Sequence, residues 1–260
     1  MEQSTKKGSL SISGVGKAAG GVYESVSISG AGKIEGDIEA DKISISGSGK
    51  IEGGVKAKSL SISGAGKVEG PIDVSELKVS GSGKVEGYVK AETVKASGSF
   101  KVAGAVWTNE FHVSGSGKIE QDLHAKEVRI SGSAKIEGQV EADRFFASGA
   151  FRIGKLLTAD EIEIRLYGHS EAGEIGGAKI DVRKHEETFW FLRWVWGGRE
   201  TKLKTNTIEG DEIYLEYTEA TVVRGKKITL GPGCEIGTVE YSDSYQAHRD
   251  ARVGKANKIA

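Results

Sequence analysis

The sequence has a single cysteine, Cys234, so no disulfide framework can hold the chain, and a reducing compartment suits it. Aromatic residues make up only 7% of the chain, too few for the broad core of a conventional globular domain. No stretch approaches the roughly 20 apolar residues of a membrane-spanning helix. The opening "MEQSTKKGSLSISG" has no apolar run of the secretory kind. Basic and acidic residues balance to a net charge of −1, so no basic surface argues for nucleic acid. Proline is nearly absent, with 2 residues, whereas glycine is abundant, with 38, and this favours short strands joined by tight corners over long helices.

What the sequence does have is repetition. "SISGAGKIEG" (27–36), "SISGSGKIEG" (44–53) and "SISGAGKVEG" (61–70) are nearly the same ten residues. With the glycine after each serine as a marker, the series runs Gly14, Gly30, Gly47, Gly64, Gly81, Gly98, Gly115, Gly132 and Gly149. The first interval is 16 residues and the rest are 17. A register held this long marks a one-dimensional repeat protein.

The columns around the marker assign an orientation to each place. Positions four and two before it are apolar, as in Ile43 and Ile45 or Leu60 and Ile62. So are the positions four after (Ile34, Ile51, Val68) and eight after (Ile38, Val55, Ile72). Each repeat therefore supplies three short strands with one buried face. This predicts an all-β fold: a single-stranded, three-sided parallel β-helix, or solenoid, with a 17-residue repeat. About twelve turns at about 4.8 Å each give a rod of roughly 60 Å. Where the aliphatic place shrinks to Ala96 or Ala147, the small residue two after the marker becomes Phe100 or Phe151, as if to fill the space. Outside, a lysine column (Lys33, Lys50, Lys67, Lys84) runs beside a glutamate column (Glu35, Glu52, Glu69, Glu86), which reads as a solvated, salt-laced face.

The pattern divides the chain into a disordered tail (1–8), solenoid repeats (9–184), a tryptophan-rich insertion (185–205), further solenoid turns (206–242) and a polar, disordered tail (243–260). The insertion holds three of the four tryptophans, Trp190, Trp194 and Trp196. With Phe189, Phe191, Leu192 and Arg193 they suit a membrane interface or a partner contact, or a flap folded back on the solenoid. In the register of the last turns Cys234 takes the inward place of Phe100 and Phe151, so it reads as a buried small hydrophobe rather than a nucleophile.

No catalytic constellation emerges. "SGSGKIEG" lacks the hydroxyl residue that must follow the lysine of a phosphate loop, and it recurs turn after turn. The histidines His112, His124, His169, His185 and His248 show no metal-ligand spacing. No cofactor or metal is expected. The 17-residue period also differs from the six-residue period of solenoid acyltransferases. The pairs Ser11/Ser13, Ser27/Ser29, Ser44/Ser46 and Ser61/Ser63 form a hydroxyl array of the sort that binds a repetitive target, but Lys78, Lys95, His112 and Arg129 interrupt it. A capped, monomeric solenoid using its serine, lysine and glutamate faces to bind a ligand is the alternative reading.

The cadence of "VEGYVKAETVKASG" (85–98), and above all "DEIYLEYTEATVVRGKKITLGPGCEIGTVEYS" (211–242), resembles the bactofilins, in particular those of the Bacillus type. The likeness covers most of residues 9–242. It implies a right-handed β-helix, a handedness that the repeat does not itself fix. It further implies a non-enzymatic cytoplasmic protein that polymerises end to end without nucleotide. Such a protein often lies peripherally on the inner face of the membrane and scaffolds client proteins. This chain departs from the family's pattern in having more turns and no hydrophobic N-terminal tail. Solenoid ends expose strand edges and a slice of core. The expected polymerisation contacts are therefore Leu10, Ile12 and Val22 in the first turn, and Ile228, Leu230, Ile236 and Val239 in the last.

Overall fold

The computed structural model describes residues 8–185 and 201–259. Every strand pairing described below is parallel, and each residue lies over its counterpart one turn away. The fold is an all-β parallel β-solenoid. The chain divides into two compact units, Met1–His124 and Ala125–Ala260.

In the first unit three apolar stacks make the core. On one side Ile28, Ile45, Ile62 and Val79 lie over one another. On the second side the stack is Ile34, Ile51, Val68, Val85 and Val102, and on the third it is Ile38, Val55, Ile72, Val89 and Val106. All of these side chains are buried. Alternation along each short strand sends its remaining side chains outward.

Two glycine columns follow from packing. A Cβ on Gly47 would overlap the carbonyl oxygen of Gly30 in the turn below, so the corner closes only without a side chain. A Cβ on Gly49 would come within 2.7 Å of the Ile45 Cγ2 atom. That second clash explains the compensation seen in the sequence. With Ala96 in place of the isoleucine, the ring of Phe100 occupies the vacated volume between Gly83 and Gly117, and it is fully buried. In the second unit Phe151 is buried in the same way and meets Phe145 edge to face at 5.4 Å.

The second unit keeps the three stacks with turns of uneven length. One stack runs Val140, Leu157, Ile175, Ile208, Val223 and Val239. The interval from Leu157 to Ile175 is 18 residues and from Ile208 to Val223 is 15. The interval from Ile175 to Ile208 is 33, because segment 186–200 lies within it. Strand Leu203–Leu215 begins inside the range expected for the insertion: Leu203 is buried and pairs with Ser170 and Thr218.

The structure corrects the expected C-terminal tail. Strand Glu235–Ala247 runs past residue 242, and Arg252–Lys258 forms one more strand upon it. Val253 covers Ile236 and Ala256 covers Val239. The stretch looks unpatterned because its inward places hold alanine, tyrosine and one valine rather than a run of aliphatic residues. The expected tail at the other end, 1–8, falls almost wholly on residues outside those described.

Candidate assembly surfaces

The first rung is the N-terminal edge of the described chain. Leu10 and Ile12 point inward beneath Val26 and Ile28. Ala18 lies under Ile34 and Gly21 under Ile38, so two of the large core places are taken by small residues. Val22 does not face inward as the column count predicts. A bulge between Ala19 and Gly21, in the 16-residue first turn, sets Val22 opposite Glu39 on the outside, where it is 53% exposed. Tyr23 takes the inward parity instead, opposite Ala40, and its hydroxyl donates to the Ala19 carbonyl at 3.1 Å. Val15 is 94% exposed and adds apolar surface that the sequence reading passes over. Lys17 and Glu24 are the only charged residues between 8 and 25.

At the C-terminal end the expected contact residues lie one turn too deep. Ile228, Leu230, Ile236 and Val239 are buried beneath Tyr245, Ala247, Val253 and Ala256 respectively. The open rung is Tyr245–Lys258, and it is exposed and basic: Arg249, Arg252, Lys255 and Lys258 against Asp250. The expected membrane or partner residues Phe189, Trp190, Phe191, Leu192, Arg193, Trp194 and Trp196 lie outside the described residues.

Between the ends, the lysine and glutamate columns interlock. Lys33 reaches Glu35 at 3.1 Å and Glu52 at 2.8 Å; Lys50 reaches Glu52 at 2.9 Å and Glu69 at 3.1 Å. Lys67 continues with Glu69 and Glu86. Hydrogen bonds from Lys33 and Lys50 hold the Glu52 carboxyl below its ordinary value. The same bonds raise the two lysines. The charges are thus satisfied within the surface and leave no run of one sign for a ligand.

In the second unit the outward face of one strand stack is denser. The Asp181 carboxylate accepts from Arg183 and from Arg165, at 2.9 and 2.6 Å. Burial would raise its pKa, but the two guanidinium groups overcome that and hold it low. Arg183 lies over the Tyr214 ring at 4.2 Å. The Tyr214 hydroxyl donates to Glu216 at 2.7 Å, a bond that with burial pushes its pKa up to about 12. Near residue 185, the Tyr167 and His185 rings stack at 4.0 Å.

Cys234 is buried, as expected from its register, and its Sγ donates to the Leu215 carbonyl at 3.2 Å. Burial raises the thiol to about 11, which makes it a poor nucleophile. No buried side-chain nitrogen or oxygen among the described residues lacks a partner. Among the same residues no three His, Cys, Asp or Glu side chains gather to hold a metal, and no helix is long and apolar enough to cross a membrane. An outward aromatic row escaped the sequence reading: Trp107 meets Tyr88 edge to face and stacks on His124, both at 5.9 Å. Bulky rings in outward columns were the available signal.

A family model described as "Bactofilin: Polymer-forming cytoskeletal" matches residues 3–89, 45–122 and 63–141, which together cover just over half of the 260 residues. Two curated relatives come from Bacillus subtilis (strain 168). The uncharacterized protein YhbF is 39% identical over 90 residues, 35% of this chain and 35% of its own length. The uncharacterized protein YhbE is 38% identical over 92 residues, 35% of this chain and 38% of its own length. The match thus spans little more than a third of either relative. No solved structure matches the chain.

Proposed function

The chain belongs to the bactofilin family, polymer-forming cytoskeletal proteins without enzymatic activity, and from that premise we propose that it assembles end to end into filaments without nucleotide. The observation that supports this reading is the N-terminal rung. Among the described residues it has an unpaired strand edge, a partly buried Leu10 facing the core, and exposed Val15 and Val22 with no capping element over them. An edge of this kind is a template for pairing with another chain. The contact residues are Leu10 and Ile12 facing inward and Val22 at the rim. The four residues expected at the other end serve as core, beneath the basic rung Tyr245–Lys258.

The scaffolding role follows the same reading: a filament with regular faces offers clients repeated sites. The membrane role is assigned to segment 186–200, whose Trp190, Trp194 and Trp196 suit headgroup depth. The test is negative-stain electron microscopy without nucleotide, with and without anionic liposomes. The wild type forms filaments, and Leu10→Lys, which places a charge on the open core, leaves single particles while its melting temperature stays within a few degrees. Liposome decoration is lost in the triple Trp190, Trp194, Trp196→Ser variant. Wild-type filaments from Leu10→Lys would refute the end contact. Single particles from every protein would favour the ligand-binding alternative, for which the aligned Ser11, Ser27, Ser44 and Ser61 provide a flat hydroxyl face.

A further inference from the structure

The charged columns share a habit in both units: a charge on one rung is met by the opposite charge on a neighbouring rung. Lys33 meets Glu52 and Lys50 meets Glu69 in the first unit. In the second, Arg152 meets Glu171 at 3.0 Å, Lys204 meets Glu219 at 3.3 Å and Arg224 meets Glu240 at 2.7 Å. At the C-terminal rung this series runs short of partners. Arg252, in register with Glu235, touches it only at 3.9 Å and from the preceding turn. Lys255 and Lys258 form no ion pair among the described residues. Among the described residues Arg249 pairs with its neighbour Asp250 alone, at 3.7 Å.

The same rung has an open edge. Strand Arg252–Lys258 pairs with Glu235–Ala247 on one side and, among the described residues, with nothing on the other. Its outer main-chain donors and acceptors are available to an added strand. A second copy is a poor answer to its charge. In its ladder column the N-terminal rung offers Lys17, opposite Lys33, a base rather than a carboxylate. It brings Ala19 to the column where the interior rungs carry glutamate, opposite Glu35. Continuation by self would bring the three bases one carboxylate, Glu24, and one further base, Lys17.

We propose that this C-terminal edge docks an acidic, extended segment of another protein by strand addition. Main-chain hydrogen bonds seat the segment, and its carboxylates take the ladder places facing Arg252, Lys255 and Lys258. A lipid headgroup surface could meet the cations but not the row of main-chain groups, so the edge favours a peptide. Where the protein polymerises, which rests on the family reading above, a segment seated here occupies the site of the next copy and limits filament growth.

The test uses the full chain and a fluorescein-labelled decapeptide with glutamate at every third place and threonine between, followed by fluorescence anisotropy at low salt. The peptide binds the wild type, and the combined Arg252→Glu, Lys255→Glu, Lys258→Glu variant binds it roughly tenfold more weakly, from three exposed ion pairs lost and like charges put in their place. These side chains are exposed, and circular dichroism checks that the fold persists. A peptide with proline in place of every threonine, which removes donors from both sides of the strand, fails to bind. In electron micrographs the glutamate–threonine peptide shortens filaments. Absence of binding shows that the cations only guard the edge and overturns the proposal. So does equal binding of the proline peptide, or binding to phosphatidylglycerol vesicles that falls with the same three substitutions while the peptide does not bind. If peptide binds and no protein forms filaments, the polymer reading fails and the docking site stands.

Discussion

At the scale of residues, the fold is a set of volume agreements between neighbours in one turn. Gly49 is glycine because Ile45 leans into its Cβ position, and Phe100 is large because Ala96 is small. These pairs should therefore be coupled. Phe100→Gly alone should cost about 3–5 kcal/mol through the cavity it leaves. Ala96→Ile alone should cost about 1–3 kcal/mol by overpacking against the ring. The double variant restores the arrangement of the other turns and should recover most of that loss, giving a coupling energy well above about 1 kcal/mol in urea unfolding. This compensation was legible in the sequence because both changes fall in one turn and share inward parity. The position of Val22 was not, since a one-residue bulge moved it outward and column counting has no term for a bulge.

At the scale of elements, the strands are held on the outside by the lysine and glutamate columns. Bonded to two lysines, Glu52 holds its proton less tightly in the fold than its ordinary value of 4.5. Glu69, Glu86 and Glu120 are lowered in the same way. A carboxylate lowered on folding supports the fold above its unfolded value, and that support disappears as pH falls through the lowered value. The melting temperature should therefore be level from about pH 7 to pH 5 and should decline below about pH 4.5. The decline should be shallower at about 1 M salt, where screening already weakens the exposed pairs. Scanning calorimetry across pH and salt checks this, and a melting temperature insensitive to acid would remove the ladder's role. The strands and their ladders were readable because the period of 17 repeats faithfully. Strand Arg252–Lys258 was not readable, because Val253 and Ala256 alone carry its inward pattern.

At the scale of the whole molecule, the family and the solenoid were within reach of the sequence, while the true C-terminal rung was hidden by its short side chains, with Val253 and Ala256 in place of the usual aliphatic pair. The repeated register makes a strong demand. Ala31, Ser48, Ala65 and Ser82 occupy one column with identical surroundings, so removal of residues 48–64 joins Gly47 to Ala65 in phase. That deletion of one whole turn should give a folded, fully β protein with a cooperative melt, whereas removal of eight residues from the same place should not. Circular dichroism distinguishes the two, and an unfolded whole-turn deletion would show that the turns are not equivalent.

The equivalence has a consequence for inheritance. A gene whose segments encode interchangeable turns can misalign with its own copy during replication, and each slip of one repeat adds or removes a turn that already fits. Length in such a lineage can change by whole steps without passing through broken intermediates, while the two ends, which differ from the repeats and from each other, must be kept.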